Sequence, residues 1–284
     1  VITEGEYLIK NTVSGAEYAF TVKAMPVGET QVVTLISAPA SGESSADVIS
    51  DVIKNSDGEV ELNLASGTYT LPSLENKDVT FIGTKDTVID MVDKVNKANS
   101  VAFEGVTVNF GSTNYRGFQH TAEAVYKNCV INGFMTTYGD MTFENCTFNS
   151  GDNQYSINFY GGENFTLTNC HFYGVNKNVY LFQETLDSDK NVTFNGCDFH
   201  MSATDTTKNK SAIMLNAPVT YNGYKYNVVI NNCTAEGSCT TAAENVAGNE
   251  NYQGLYGLKH KDGYGNAKLV LGTVTVNNAK VYEN

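Results

Sequence analysis

The chain contains no tryptophan, a single arginine (Arg116) and four prolines in 284 residues. It has no apolar run long enough to cross a membrane as a helix, and no charged-then-apolar leader, so neither membrane insertion nor a signal peptide is expected. It begins at Val1, without Met, which reads as a processed protein or an excised fragment. Basic residues are scarce: Lys and Arg total 18 against 31 Asp and Glu, a formal net charge of −13. A surface of that sign repels polyanions, so nucleic acid is not an expected partner, and anionic glycans and membranes are disfavoured. No CxxC pair and no histidine cluster occurs, which removes the usual zinc sites; no metal and no cofactor is expected. No two aspartates are adjacent. What the chain does have is 17 tyrosines, 14 phenylalanines and enough length to bury a sizeable core.

One short stretch, Met141 to Ser150, alternates apolar and polar residues like a half-buried strand, but the alternation slips by one at Asn145–Cys146. The slip recurs. Aligned on it, one column reads Gly83, Gly105, Asn128, Asn145, Asn169, Gly196, Asn232 and Asn278. Glycine and asparagine are the residues that most readily take a left-handed backbone conformation. Such a residue between two strands makes a sharp bend and resets which side chains point inward. Two positions earlier stands a large apolar residue (Phe81, Phe103, Tyr126, Phe143, Leu167, Phe194, Ile230, Val276), and one position later a small or apolar one, except Thr84 in the weakest copy.

Successive bend positions lie 22, 23, 17, 24, 27, 36 and 46 residues apart. A coil of three short strands and tight turns takes roughly 20 to 25 residues, so the longer spacings are coils carrying insertions at their turns. The fold class expected is all-β: a right-handed, single-stranded parallel β-helix, with the bend asparagines stacked along one edge. The solenoid spans 58–284. Residues 44–57 read as a short helix, with Ser44 or Ser45 to cap it and Val48, Ile49, Val52 and Ile53 as its apolar face, covering the first coil. Residues 1–43 do not follow the repeat; their two alternating segments read as the end of a preceding β module or as a pairing edge.

The repeats "YGDMTFENCTF", "YGGENFTLTNCHF" and "KNVTFNGCDF" resemble those of pectin-lyase-like right-handed parallel β-helices, and more closely the repeats of large surface proteins of gut-type Gram-positive bacteria. The resemblance covers about residues 58 to 284. It implies the fold, but the architecture hosts lyases, hydrolases, tailspikes and adhesins alike. Lyases of this shape hold calcium in clustered carboxylates beside an Arg or Lys base, and hydrolases use paired aspartates; the "NTD" and "GHG" signatures are absent here.

Cys129, Cys146, Cys170, Cys197 and Cys233 recur once per repeat at a site that Val106 and Ala279 also fill, so they read as small buried hydrophobes and free thiols. Cys239 falls outside the column. Asn145, Asn164, Asn191 and Asn232 each begin an Asn-x-Thr triplet, but two of them are bends, where a glycan would break the stack.

Candidate site residues fall into three groups. Arg116, with His120 four residues on, is the best catalytic-looking pair should the chain be an enzyme. Asp187, Asp189, Asn191 and Asp198 have the spacing of a calcium loop, but Val192 replaces its required glycine, and a solvated acidic turn is the reading adopted. His171 and His200 read as solvent-facing strand residues, and His260 lies in a loop. The third group is a surface. Aligning "FMTTYG", "INFYGG", "VYLFQE" and "IMLNAP" puts Met135, Ile157, Val179 and Ile213 on the core face. The opposite face then carries Thr136, Asn158, Tyr180 and Met214 beside Tyr138, Tyr160, Phe182 and Asn216. Stacked outward aromatics suit binding, so Tyr138, Tyr160, Tyr180, Phe182 and Asn158 are the expected binding residues.

The function expected is a non-catalytic, adhesin-like binding domain of a bacterial secreted or cell-surface protein, a monomer that recognises a host or microbial protein or glycan. Two alternatives stand beside it: a polysaccharide lyase or glycosidase working at Arg116 and His120, and a structural spacer.

Overall fold

The computed structural model describes residues 5–10, 17–22, 31–35, 45–91, 95–111, 116–118, 121–151, 155–174, 177–201, 211–237, 252–256 and 266–283. The bend residues set its architecture. Asn128, Asn145, Asn169, Asn232 and Asn278 have φ between 48° and 54°, and Gly105 and Gly196 have φ of 72° and 62°. Each joins one strand ending just before it to a second strand beginning two residues after it. The first set of strands forms a ten-stranded sheet, running from Gln31–Leu35 and Val60–Leu64 to Leu271–Asn277. The second set forms a nine-stranded sheet from Gly67–Thr70 to Lys280–Glu283. Within both sheets every pairing is parallel, and each strand pairs with the corresponding strand of the next coil. A third side is made by Met135–Thr137, Tyr155–Phe159, Lys177–Leu181 and Ile213–Asn216, again parallel, and finished by Tyr252–Tyr256 in antiparallel sense. The chain is a parallel β-helix.

Gly83 departs from its column. It is not left-handed, and a Cβ there would sit 2.7 Å from Val106 Cγ1 and 2.8 Å from Thr87 Cβ. Glycine holds that place for room rather than for backbone conformation, which is why the copy around it looks weak.

Stacking gives each column of the core its continuity. Phe81, Phe103, Tyr126 and Phe143 stack with centroid separations of 5.1, 4.9 and 4.8 Å, and Phe148, Phe172 and Phe199 with 4.4 and 4.9 Å. The five column cysteines are free and buried. Their sulfurs lie against backbone carbonyls, as in Cys129 Sγ to Lys127 O at 3.2 Å. The next sulfur in the stack, together with burial, pushes the Cys129, Cys170 and Cys233 thiols well above the ordinary range. Cys239 lies outside the described residues. Polar ladders run along the outside: Asn145 to Asn128 and Asn278 to Asn232 at the bend, and Asp90, Asn109, Asn132 and Asn149 along the second sheet at 2.7, 2.9 and 3.1 Å.

The helix is Ser45–Lys54. Ile49 and Ile53 are buried in the core cluster, and Val48 and Val52 pack against it. Ser45 Oγ accepts the N–H of Thr70 at 2.8 Å, which fastens the helix to the first strand of the second sheet. Of the amino-terminal segment, Gly5–Lys10 and Glu17–Val22 form an antiparallel pair. Gln31–Leu35 joins the first sheet beside Val60–Leu64, as a pairing edge does.

Candidate binding face and a second polar cluster

The third sheet places the expected binding residues in the expected register: Thr136 beside Asn158, Asn158 beside Tyr180, and Tyr180 beside Met214. Tyr138, Tyr160, Tyr180 and Phe182 are half-buried. Their rings touch in sequence: Tyr138 to Tyr160 at 5.8 Å, Tyr160 to Phe182 at 6.0 Å and Phe182 to Tyr180 at 5.8 Å. The series continues through Tyr155, 5.6 Å from Tyr180, to Phe134, 5.1 Å from Tyr155. Six rings therefore touch in series across three coils, four of them half-buried, forming an aromatic ridge, and two, Tyr155 and Phe134, buried.

The exposure expected of the whole face is corrected at three positions. Thr136 and Met214 are fully buried, and Asn158 is 3% exposed. Phe134, Tyr155 and Met214 are buried yet stand apart from the central core cluster, so this side of the coil carries a second apolar layer. Strand alternation gives the direction of a side chain but not its exposure, and short side chains set among large rings lose contact with water. Asn158 belongs to this layer and is not an accessible binding residue. Its Oδ1, like Thr136 Oγ1, has no hydrogen-bond partner among the described residues.

The rings of the ridge are not coplanar. Tyr138 and Tyr160 meet at 58°, and Tyr160 and Phe182 at 70°. Lys177 Nζ lies 4.9 Å from the centre of the Tyr180 ring, and Asn216 Nδ2 donates to the Tyr180 hydroxyl at 2.7 Å. The ridge thus offers tilted rings rather than one flat platform.

Arg116 is anchored to two backbone carbonyls. Its Nη1 donates to Met91 O at 2.9 Å and to Phe110 O at 2.7 Å, tying two coils together at their turns. His120 and His260 lie outside the described residues. The calcium-spaced residues separate: Asp187 pairs with the buried Lys190 at 2.7 Å, Asp189 accepts Lys225 N–H, Asn191 donates to Asn164, and Asp198 turns to His171.

A cluster not anticipated as a unit lies on the outer face of the second sheet. His171 Nδ1 is 3.2 Å from Asp198 Oδ2, and Thr234 Oγ1 donates to the other Asp198 oxygen. One column over, Tyr173 stacks on His200 at 4.8 Å and 3°, and His200 Nδ1 meets Glu236 Oε1. Lys280 and Tyr282 end the two columns. A carboxylate at each Nδ1 fixes the orientation of the ring. The signal was in the repeat: these residues fall two and four positions after successive bends, so they share a face and touch across coils. Among the described residues no group of three or more His, Cys, Asp or Glu side chains could hold a metal ion.

Comparison of the chain with known protein families, with curated proteins and with solved structures finds no match.

Proposed function

We propose that this chain is a non-catalytic binding domain whose contact surface is the ridge of Tyr138, Tyr160, Tyr180 and Phe182. The observation that carries the reading is that these four half-buried rings touch in series on one side of a rigid solenoid. Aromatic residues held in fixed rotamers give large contact area at small entropic cost. The tilted rings suit apolar side chains of a protein, or a single sugar ring, better than a long flat glycan. The net charge of −13 disfavours polyanionic partners. The repeats' likeness to bacterial surface proteins supports an adhesin-like setting outside the cell, in a secreted or wall-attached protein of the pectin-lyase-like architecture.

The test is a panel of host proteins, microbial proteins and neutral glycans, probed with the native chain and with Tyr138→Ser/Tyr160→Ser/Phe182→Ser. A partner is expected whose affinity falls by about 2 kcal/mol or more in the triple variant. Undiminished binding by that variant removes the ridge as the site, and a native chain that binds nothing leaves the spacer reading.

One observation favours a second reading, a carbohydrate-active enzyme: the pairs His171–Asp198 and His200–Glu236, rather than Arg116. New reducing ends or unsaturated products from a polysaccharide panel, lost in His171→Asn/His200→Asn, would establish it.

A further inference from the structure

We propose that the aromatic ridge takes a basic segment of a partner protein, with arginine or lysine side chains laid against the rings and their charges met by the carboxylates that follow each ring. The inference rests on the ridge as the contact surface and names the chemistry of its partner.

Three of the rings stand just past strands of the third side. Tyr138 follows Met135–Thr137, Tyr160 follows Tyr155–Phe159 and Phe182 follows Lys177–Leu181. Two or three residues after each ring comes an acid: Asp140, Glu163 and Glu184. Glu163 and Glu184 are exposed, and Asp140 is half-buried. Backbone contacts hold these turns on one another. A Cβ on Gly161, between Tyr160 and Glu163, would sit 2.5 Å from Tyr138 O, so that turn lies directly on the coil before it. Asp140 accepts the N–H groups of Glu163 and Asn164 at 2.7 and 3.0 Å, and Asn164 Nδ2 at 2.9 Å. Phe182 N–H donates to Phe159 O at 3.3 Å. Ring and acid therefore recur together from coil to coil.

The charge there has one sign. Segments 134–144, 155–168 and 179–189 together hold six carboxylates and no lysine or arginine. Lys190 pairs with Asp187 at 2.7 Å, but among the described residues no lysine or arginine pairs with Glu163 or Glu184. A partner that covers these carboxylates without bringing positive charge strips them of water and returns nothing, whereas a cationic partner complements them. The rings accept a cation as well. Lys177 Nζ already lies 4.9 Å from the centre of the Tyr180 ring, within the roughly 6 Å reach of a cation–π contact. Arginine fits both features at once: its planar guanidinium stacks on a ring and forks to a carboxylate, and its apolar stem covers ring surface. An acidic segment would be repelled by the same groups.

The probe is a synthetic peptide of Gly-Ser-Arg repeats, titrated against the full chain by fluorescence anisotropy, beside the same peptide with neutral citrulline in place of arginine. The arginine peptide is expected to bind at least ten-fold more tightly, and to weaken as salt rises. Glu163→Gln/Glu184→Gln is expected to lower its affinity at least five-fold with an unchanged circular dichroism spectrum, since both side chains are exposed. Asp51→Asn/Asp57→Asn makes the same charge change at exposed positions in and just after the helix, and is expected to leave binding as it was. No binding, equal binding of the citrulline peptide, or equal losses in the two double variants overturns the cationic partner and leaves the ridge open to the neutral partners of the panel. Arginine-peptide binding that Tyr138→Ser/Tyr160→Ser/Phe182→Ser does not diminish removes the ridge itself, and this inference with it. Should a variant misfold, the citrulline comparison on the native chain decides.

Discussion

Asn145 donates from Nδ2 to Oδ1 of Asn128, one coil earlier, at 3.2 Å, while both residues hold φ just above 50°. One residue type thus meets two demands: a left-handed backbone and an amide that repeats along the edge. Asn145→Val is expected to lose both. A β-branched side chain strains the bend and cannot continue the ladder, so a destabilisation of about 1–2 kcal/mol is expected. Asn145→Gly keeps the bend and loses only the ladder. Chemical denaturation of the two variants separates the contributions, and an unchanged midpoint for Asn145→Val would contradict the account.

The thiols of Cys129, Cys146, Cys170, Cys197 and Cys233 are expected to resist an alkylating reagent in the folded protein and to react in denaturant. Burial hides them from the reagent. Mass spectrometry after native and denatured labelling counts them. A Cys146–Cys170 disulfide in the native protein would contradict the assignment.

Removing residues 1–57 is expected to cause aggregation, because it strips Ile49 and Ile53 from the end of the core and uncovers the strand Val60–Leu64. A milder probe is Ser45→Ala, which leaves the Thr70 N–H without its partner and is expected to cost about 1 kcal/mol. A truncated chain that stays soluble with a normal melting temperature would show the helix to be dispensable.

Burial opposes ionisation of Asp140, but Asn164 Nδ2, the backbone N–H groups of Asn164 and Glu163, and the charge of Lys190 outweigh it and hold the carboxyl below its usual range. Asp187, against the Lys190 ammonium, is lowered likewise. A group whose pKa is depressed on folding adds stability above its unfolded pKa, about 3.9 for aspartate, and loses it as pH falls toward the folded value. The melting temperature is expected to hold from neutral pH to about pH 5 and to drop below about pH 4. Asp140→Asn should shrink that drop, and an identical acid profile for the variant would remove Asp140 from the account.

Much of the coil was readable because its rule is local. A Gly or Asn, a small residue after it and a large apolar residue two before it specify bend, parity and core at once, and Asn128, Asn169 and Asn232 each carry the rule unaided. Gly83 shows its limit, since glycine is also chosen for space, which the sequence does not distinguish. Exposure on the third sheet was harder to read. Asn158 and Tyr180 share a parity, yet one is buried and the other half-buried, because the second apolar layer depends on ring size and tilt in neighbouring coils. The pairing of His200 with Glu236 spans 36 residues and becomes visible only when both are counted from their own bends.

From one bend to the next the chain may take as few as 17 residues or as many as 46, yet strand lengths around the bend barely change. In the sequence, the surplus falls between the end of a second-sheet strand and the next strand of the first sheet. The edge of asparagines and cysteines acts as a fixed spine, and the side that bears the aromatic ridge is where length is free. That division makes the junction beside Phe134 a natural grafting point: a foreign peptide inserted there would lengthen the variable part of the coil and leave the register at the bend alone.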